Sequence, residues 1–370
     1  MTSDCRRGVM PDAPRESRGR EPSNRASFTR GDKMADPIRL AFIGTGLIVN
    51  SDHWPVVNTL RSDFEVVALC NRSLAKAEAL AERVTQETGK SPAVYTDYAA
   101  LLALEKLDAV LLALPTIINP EVTEAALAAG CHVIVEKPIA ASVEDGERML
   151  GWPKKYGRVL MVAENCRYLD SYQHAARLVA EGAIGRVVTA QWVLCLYTAP
   201  DNQYALTPWR QEPAHPGGFL SDGGVHHMAT LRTVLGEASS VQASVASYRP
   251  DLKPADTLVA VMNWASGVLG SYQVTYAVQG PYSPLQVIGV EGMVLATNEW
   301  VELRPNGGEA QHWDEPSPYG GMRAMYADFA QAVRTGRPPR STPEEGLADL
   351  RLIVAMLQSN ESGRAVRLAR

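Results

Sequence analysis

From Ile38 onward, short apolar runs alternate with longer amphipathic stretches, the pattern of βαβ units whose parallel sheet is buried on both faces. Strands are expected at Ile38–Ile43, Glu65–Cys70, Ala93–Tyr95, Ala109–Leu114, Val133–Glu136 and Val159–Ala163. Helix signals lie between them. Asn119-Pro120-Glu121 orders an N-cap, a first-turn proline and an early acid, with Gly130 past the last periodic residue, and Ser142-Val143-Glu144-Asp145 opens another helix. Six strands with helical crossovers make a doubly wound α/β domain.

After Asn165 the texture changes. Long β-rich runs follow at Val187–Tyr197, Val241–Tyr248, Thr257–Trp264, Val268–Ala277, Leu285–Ile288 and Gly292–Leu303, with few crossovers, which suggests an α+β domain with an open, mainly antiparallel sheet. Helix returns at Met322–Thr335 and behind a Thr342-Pro343-Glu344-Glu345 capping box. The expected domains are 36–165 and 166–370, the C-terminal helices being placed to pack back on the first. Residues 1–33 hold eight basic against five acidic residues, a +3 stretch that leaves −8 for the rest of a chain of net charge −5. With almost no apolar periodicity, residues 1–35 are expected to be a disordered tail, and Met34 a natural start. Arg6-Arg7 is followed by no apolar core, so no export signal is read there.

At 370 residues with 46% apolar content, two buried cores are affordable, and no run approaches the roughly 18 apolar residues of a membrane span. The acidic balance offers no general attraction to nucleic acid or to anionic membranes. A cytoplasmic protein is expected. The five cysteines, Cys5, Cys70, Cys131, Cys166 and Cys195, are scattered and never form C-x-x-C, so they read as reduced thiols.

Chemistry concentrates at strand ends. In Ile43-Gly44-Thr45-Gly46-Leu47-Ile48-Val49, Gly44 permits a tight turn and Gly46 lets backbone amides approach a pyrophosphate at a helix N-terminus. Val49 stands where that fingerprint has its third glycine, and Asp52–Pro55 is expected to delay the helix start. The second strand ends in Cys70-Asn71-Arg72-Ser73, with Asn71 22 residues after Val49, near the roughly 20 at which an acid grips the ribose of NAD. No carboxylate is there. Arg72 offers a planar donor fork for a 2′-phosphate, which favours NADP while leaving NAD possible.

Two further stretches carry candidate catalytic groups. Glu136-Lys137-Pro138 ends the fifth strand, where Lys137 can hydrogen-bond a carbonyl and stabilise a forming alkoxide. In Leu220-Ser221-Asp222-Gly223-Gly224-Val225-His226-His227, helical spacing puts Asp222 and His226 on one face, His226 suited to proton exchange and Asp222 to holding substrate, while His227 reads as a hydrogen-bonded core residue. No third ligand at suggestive spacing accompanies them, so no metal is expected.

With Gly44/Gly46, Glu136-Lys137-Pro138 and Asp222-x-Gly224-x-His226 in this order, the chain from about residue 38 to its end resembles the Gfo/Idh/MocA oxidoreductases, including Gly182–Val187 and Ser359–Leu368. The resemblance implies a Rossmann domain, a second α/β domain whose open sheet often forms an oligomer interface, and hydride transfer between NAD(P) and a sugar, cyclitol or related hydroxyl or carbonyl compound. It implies that Lys137 contacts the reacting oxygen, that His226 is the acid/base, that Asp222 binds substrate, and that His53 is structural. Three departures mark a less typical subgroup: Val49, Ala229 where many members have Asp, and Pro115-Thr116-Ile117-Ile118-Asn119-Pro120 in place of Pro-Asn-x-x-His.

Gly44, Thr45, Gly46, Leu47, Ile48, Asn71, Arg72, Ser73, Leu114, Pro115, Glu136 and Lys137 are thus expected around the cofactor, and Asn165, Arg167, Trp209 and Arg210 near substrate. The leading reading is an NADP-favouring oxidoreductase acting on a small molecule as a homodimer or homotetramer. A glycoside hydrolase working by transient oxidation on NAD and a non-catalytic nucleotide-sensing regulator are the alternatives.

Overall fold

A computed structural model describes residues 36–207, 213 and 215–368. The tail expected over 1–35, with Met34, lies outside the described residues, as do Trp209 and Arg210.

The first sheet contains β1 (Ile38–Ile43), β2 (Phe64–Cys70), β3 (Ala93–Tyr95), β4 (Ala109–Leu112), β5 (His132–Val135) and β6 (Leu160–Val162), in the order β3-β2-β1-β4-β5-β6. Every pair is parallel. Leu40, Ala41, Phe42 and Ile43 are all buried, as a strand covered on both faces requires. Strand order reverses between β1 and β4, so the crevice at their carboxyl ends is a topological switch point.

Local details depart from expectation in two places. The helix after the glycine turn is not delayed: it begins at Leu47 and passes through a π-helical turn, Val49–His53, into Trp54–Asn58. Val49 is accommodated because it faces the core, fully buried with Trp54 and Val56. Asn119 is not an N-cap. A 3₁₀ turn at Thr116–Ile118 leads directly into the helix Asn119–Ala128, which leaves the Asn119 amide for other work. Ser142 and Thr342 do cap, accepting from the Asp145 and Glu345 amides at 3.1 and 3.3 Å.

The second sheet holds β7 (Val187–Cys195), β8 (Ala238–Ala246), β9 (Thr257–Trp264), β10 (Leu269–Thr275), β11 (Leu285–Gly289), β12 (Gly292–Ala296), β13 (Trp300–Pro305), β14 (Gln311–Asp314) and β15 (Val366–Arg367). Their order is β14-β13-β12-β11-β7-β10-β9-β8-β15, and only β7 and β10 run parallel. The single run expected over Gly292–Leu303 is instead a β12–β13 hairpin, broken where Thr297 Oγ1 accepts from the Glu299 and Trp300 amides.

The helices Asp170–Ala180, Phe219–Leu235 and Pro343–Ser362 cover one face of this sheet, over Trp192 and Tyr272. The helix Met322–Thr335 packs on the first sheet's side: Phe329 stacks on Phe64 at 6.4 Å and Tyr326 meets Phe64 edge-on at 5.6 Å. The opposite face of the large sheet is open. Across β8, β9, β10, β7 and β11 one outward row reads Gln242, Val261, Ser271, Gln191, Gln286, without a charge, and Val259, Val261 and Leu269 on that face are exposed. Among the described residues no helix is long and apolar enough to cross a membrane.

Candidate active site

The two glycines of the first turn do different jobs. Gly44 has φ +96°, and a Cβ there would lie 2.2 Å from the Ala113 carbonyl oxygen, so the chain's own packing demands glycine. A Cβ on Gly46 would meet nothing within 4 Å. The space over Gly46 is therefore available to a ligand. Asn50 Nδ2 donates to the Thr45 and Gly46 carbonyls at 3.1 and 2.9 Å, and Asn71 Nδ2 donates to Thr45 Oγ1 at 2.9 Å, fastening the loops after β1 and β2 together. Arg72 and Ser73 are exposed beside them, Leu47 is 40% exposed, and Leu114 and Pro115 are half-buried just past β4. A turn with amides at a helix start, open space at Gly46 and an exposed guanidinium suits a dinucleotide.

Behind the turn, Glu136 acts as a brace. Its Oε1 lies 2.8 Å from His53 Nε2 and its Oε2 accepts the Lys137 amide, so the contact expected between Glu136 and the cofactor competes with two internal ones. His53, fully buried, extends the brace through Nδ1 to the Tyr326 hydroxyl at 2.7 Å. Asn119 Nδ2 donates to the carbonyls of Glu136 and Pro138, both at 3.3 Å, and so holds the turn that carries Lys137.

Lys137 then reaches the second half of the molecule. Its Nζ donates to the Asp222 carbonyl at 2.8 Å and to Asp222 Oδ1 at 3.2 Å, where the lysine side chain keeps 11% exposure and the aspartate 2%. One turn further along the same helix, His226 places Nδ1 2.6 Å from Glu164 Oε1. An ionised carboxylate only accepts, so Nδ1 carries the proton of this contact, and Nε2 is the ring nitrogen turned away from Glu164. Burial works to raise the Glu164 carboxyl, but the His226 imidazole, the Lys137 ammonium and the Cys166 amide outweigh it and hold the group below its ordinary range. His227 points into the core instead, 2.6 Å from the Tyr272 hydroxyl, and burial pushes its imidazole down to about 3.

The structure thus unites Lys137, Asp222 and His226. Sequence reading missed Glu164, whose signal was available: a carboxylate immediately past the sixth strand, at the same sheet edge as Lys137. Glu164, Cys166 and His226 also offer ligand atoms within 4.8 Å of one another, a donor set assembled across the fold that spacing along the chain conceals. Two expected substrate residues are occupied elsewhere. Asn165 Nδ2 donates to the Gly320 carbonyl at 2.7 Å, and the buried Arg167 guanidinium pairs with Asp349 at 2.6 Å and Glu345 at 2.9 Å, because a buried guanidinium must find its carboxylates.

Residues 38–164 match the family model described as oxidoreductase family, NAD-binding Rossmann fold, and residues 176–368 match the model for that family's C-terminal alpha/beta domain. An oxidoreductase from Thermotoga maritima superposes with a TM-score of 0.84 at 33% identity, over 90% of this chain and 98% of that one. Dehydrogenase FPY6 of Fusarium mangiferae is 27% identical over 90% of this chain and 99% of its own length. D-xylose 1-dehydrogenase (NADP(+)) 2 of Haloferax volcanii is 28% identical over 83% and 93%. The chain is an enzyme of the Gfo/Idh/MocA oxidoreductase family, with an NAD(P)-binding Rossmann domain followed by a mainly antiparallel second domain.

Proposed function

We propose that the protein interconverts a carbonyl and a hydroxyl on a sugar, cyclitol or related small compound, with NADP(H) preferred over NAD(H). The observation that carries this reading is the convergence of Lys137 with Asp222 and of His226 with Glu164 at the crevice outside the first sheet. A bound nicotinamide supplies or accepts the hydride. Lys137 donates to the reacting oxygen and stabilises the negative charge that develops on it, while Asp222 fixes the direction of the ammonium. His226 exchanges the proton of that oxygen through Nε2, and Glu164 holds the tautomer and stabilises the imidazolium when it forms. Gly44, Thr45, Gly46, Leu47 and Ile48 would hold the pyrophosphate of the cofactor, and Leu114 and Pro115 would lie on its nicotinamide side.

For cofactor choice, β2 ends at Cys70 and Asn71 follows it, with no acid to hold a ribose 2′-hydroxyl, while the exposed Arg72 offers a guanidinium suited to a 2′-phosphate. The relative named as an NADP(+) D-xylose dehydrogenase is consistent with both the cofactor and the substrate class. The open, uncharged row of the large sheet supports a homodimer or homotetramer through that face, since a solvated sheet normally carries charge there.

A coupled screen over sugars, cyclitols, deoxy-keto sugars and small aldehydes, followed by NADPH or NADH absorbance, tests the reading. Turnover faster with NADPH on at least one polyhydroxy substrate is expected. Tight nucleotide binding with no turnover on the whole panel would overturn it.

A further inference from the structure

Beyond the His226–Glu164 pair lies a cluster of charges that the chemistry above does not use. Arg167, Arg232 and Asp349 have side chains 6%, 4% and 2% exposed. Asp349 splits its carboxylate between them: Oδ2 accepts from Arg167 Nη2 at 2.6 Å and Oδ1 from Arg232 Nη1 at 2.6 Å. Glu345, one turn earlier on the same helix, adds Oε2 to both guanidiniums, 2.9 Å from Arg167 Nη1 and 3.0 Å from Arg232 Nη2. Glu237 adds a third carboxylate, paired with Arg232 alone.

The three elements joined here are those that position the proton-transfer pair. Arg167 sits in the 3₁₀ turn Asn165–Tyr168, whose N-cap is Glu164 itself: Glu164 Oε1 accepts the Cys166 amide at 3.0 Å while also meeting His226. Arg232 lies on the helix Phe219–Leu235, six residues beyond His226, about 9 Å along the axis. Asp349 and Glu345 belong to the helix Pro343–Ser362, which touches both. Two buried guanidiniums would repel each other and drive turn and helix apart unless a shared carboxylate sat between them. Buried ion pairs seldom add net stability over apolar packing, but they do fix the relative placement of the elements that carry them.

We propose that Asp349 is a positioning residue for proton transfer: by bridging Arg167 and Arg232 it sets the helix of His226 against the turn of Glu164. This rests on the reading of His226 as the acid/base. The bridge touches neither the glycine turn nor Arg72, so it leaves nucleotide binding alone and acts on the chemical step, where misplacement by an ångström costs on the order of 100-fold.

The test is a double-mutant cycle in the full chain with Asp349→Asn, His226→Ala and the pair, reading kcat, KM and NADPH affinity by fluorescence. Asp349→Asn is expected to lower kcat by about 10- to 100-fold with KM and nucleotide Kd within about twofold, and to cost nothing further once His226 is alanine. Should Asp349→Asn not fold, Glu345→Gln at the more exposed second anchor is read in the same cycle, with a smaller loss of the same kind. Losses that multiply with His226→Ala, or a rise in KM and Kd in step with any fall in kcat, would make the cluster merely structural. An active His226→Ala enzyme would instead overturn the acid/base reading, a distinguishable result.

Discussion

Nδ1 of His226 and Oε1 of Glu164 lie 2.6 Å apart although 62 residues separate them in the chain, with the carboxylate nine-tenths or more enclosed and its second oxygen Oε2 without a hydrogen-bond partner among the described residues. The pair spans the two halves of the molecule. Glu164→Gln keeps the shape of the side chain but removes the charge that orients and stabilises the imidazolium. A fall in kcat of about 100-fold or more is expected with nucleotide affinity retained, and steady-state kinetics beside a nucleotide titration would show it.

The same carboxylate contributes to acid stability with a defined sign. Its folded pKa is held below the ordinary glutamate value by His226, Lys137 and the Cys166 amide against the opposing effect of burial. Stability from this group is therefore fully present above the unfolded value of about 4.3 and is lost as pH falls through the depressed folded value. Thermal melts from pH 7 down to pH 3 should drop less steeply for Glu164→Gln than for the natural chain; parallel curves would contradict the assignment.

Lys137 donates to Asp222 from a turn braced by Glu136, His53 and Asn119. Lys137→Met should cut turnover by about 100-fold or more while leaving NADPH binding near its original strength. Asn119→Ala should act differently, by loosening the turn: loss of the donors to the Glu136 and Pro138 carbonyls is expected to cost about 1–3 kcal/mol, read as a lower midpoint in urea together with a partial loss of kcat.

The proposed preference for NADP rests on Arg72. Replacing it with Asp supplies an acceptor near the ribose hydroxyls and withdraws the cation, so the ratio of NADPH to NADH affinity should move toward NADH by about 10-fold or more. An unchanged ratio would detach Arg72 from the 2′-phosphate.

If the uncharged face is covered by a second copy, Val261→Lys places an ammonium within the row and should shift the mass seen by light scattering toward the monomer, with little effect on the fold because Val261 is 58% exposed.

Much of this was legible beforehand, for physical reasons. Parallel strands buried on both faces declare themselves as continuous apolar runs, as Ile38–Ile43 does, and the antiparallel Thr257–Trp264, with one face open, also falls where the pattern puts it. Lys137, Asp222 and His226 stood out because charged groups at strand ends and one helical turn apart have few uses in a core. What stayed hidden depended on tertiary partners. Asn119 looks like a cap until the 3₁₀ turn before it satisfies the helix start and frees its amide for the Lys137 turn. Arg167 looks like a substrate ligand until Asp349 and Glu345, nearly two hundred residues on, arrive beside it. Strands β14 and β15 are short and half polar, and only the neighbours they pair with make them strands.

The unequal surroundings of Gly44 and Gly46 separate inheritance of shape from inheritance of use. Alanine at 44 would collide with the Ala113 carbonyl in every copy of the chain, loaded or not, and such a variant would be lost before it could be assayed. Alanine at 46 meets nothing within 4 Å, so that chain should fold and melt like its parent and, on the proposed reading, differ when nucleotide is added. If Gly46 serves the nucleotide as proposed, the second position is a tolerated route by which a lineage could shed nucleotide binding while keeping the scaffold intact.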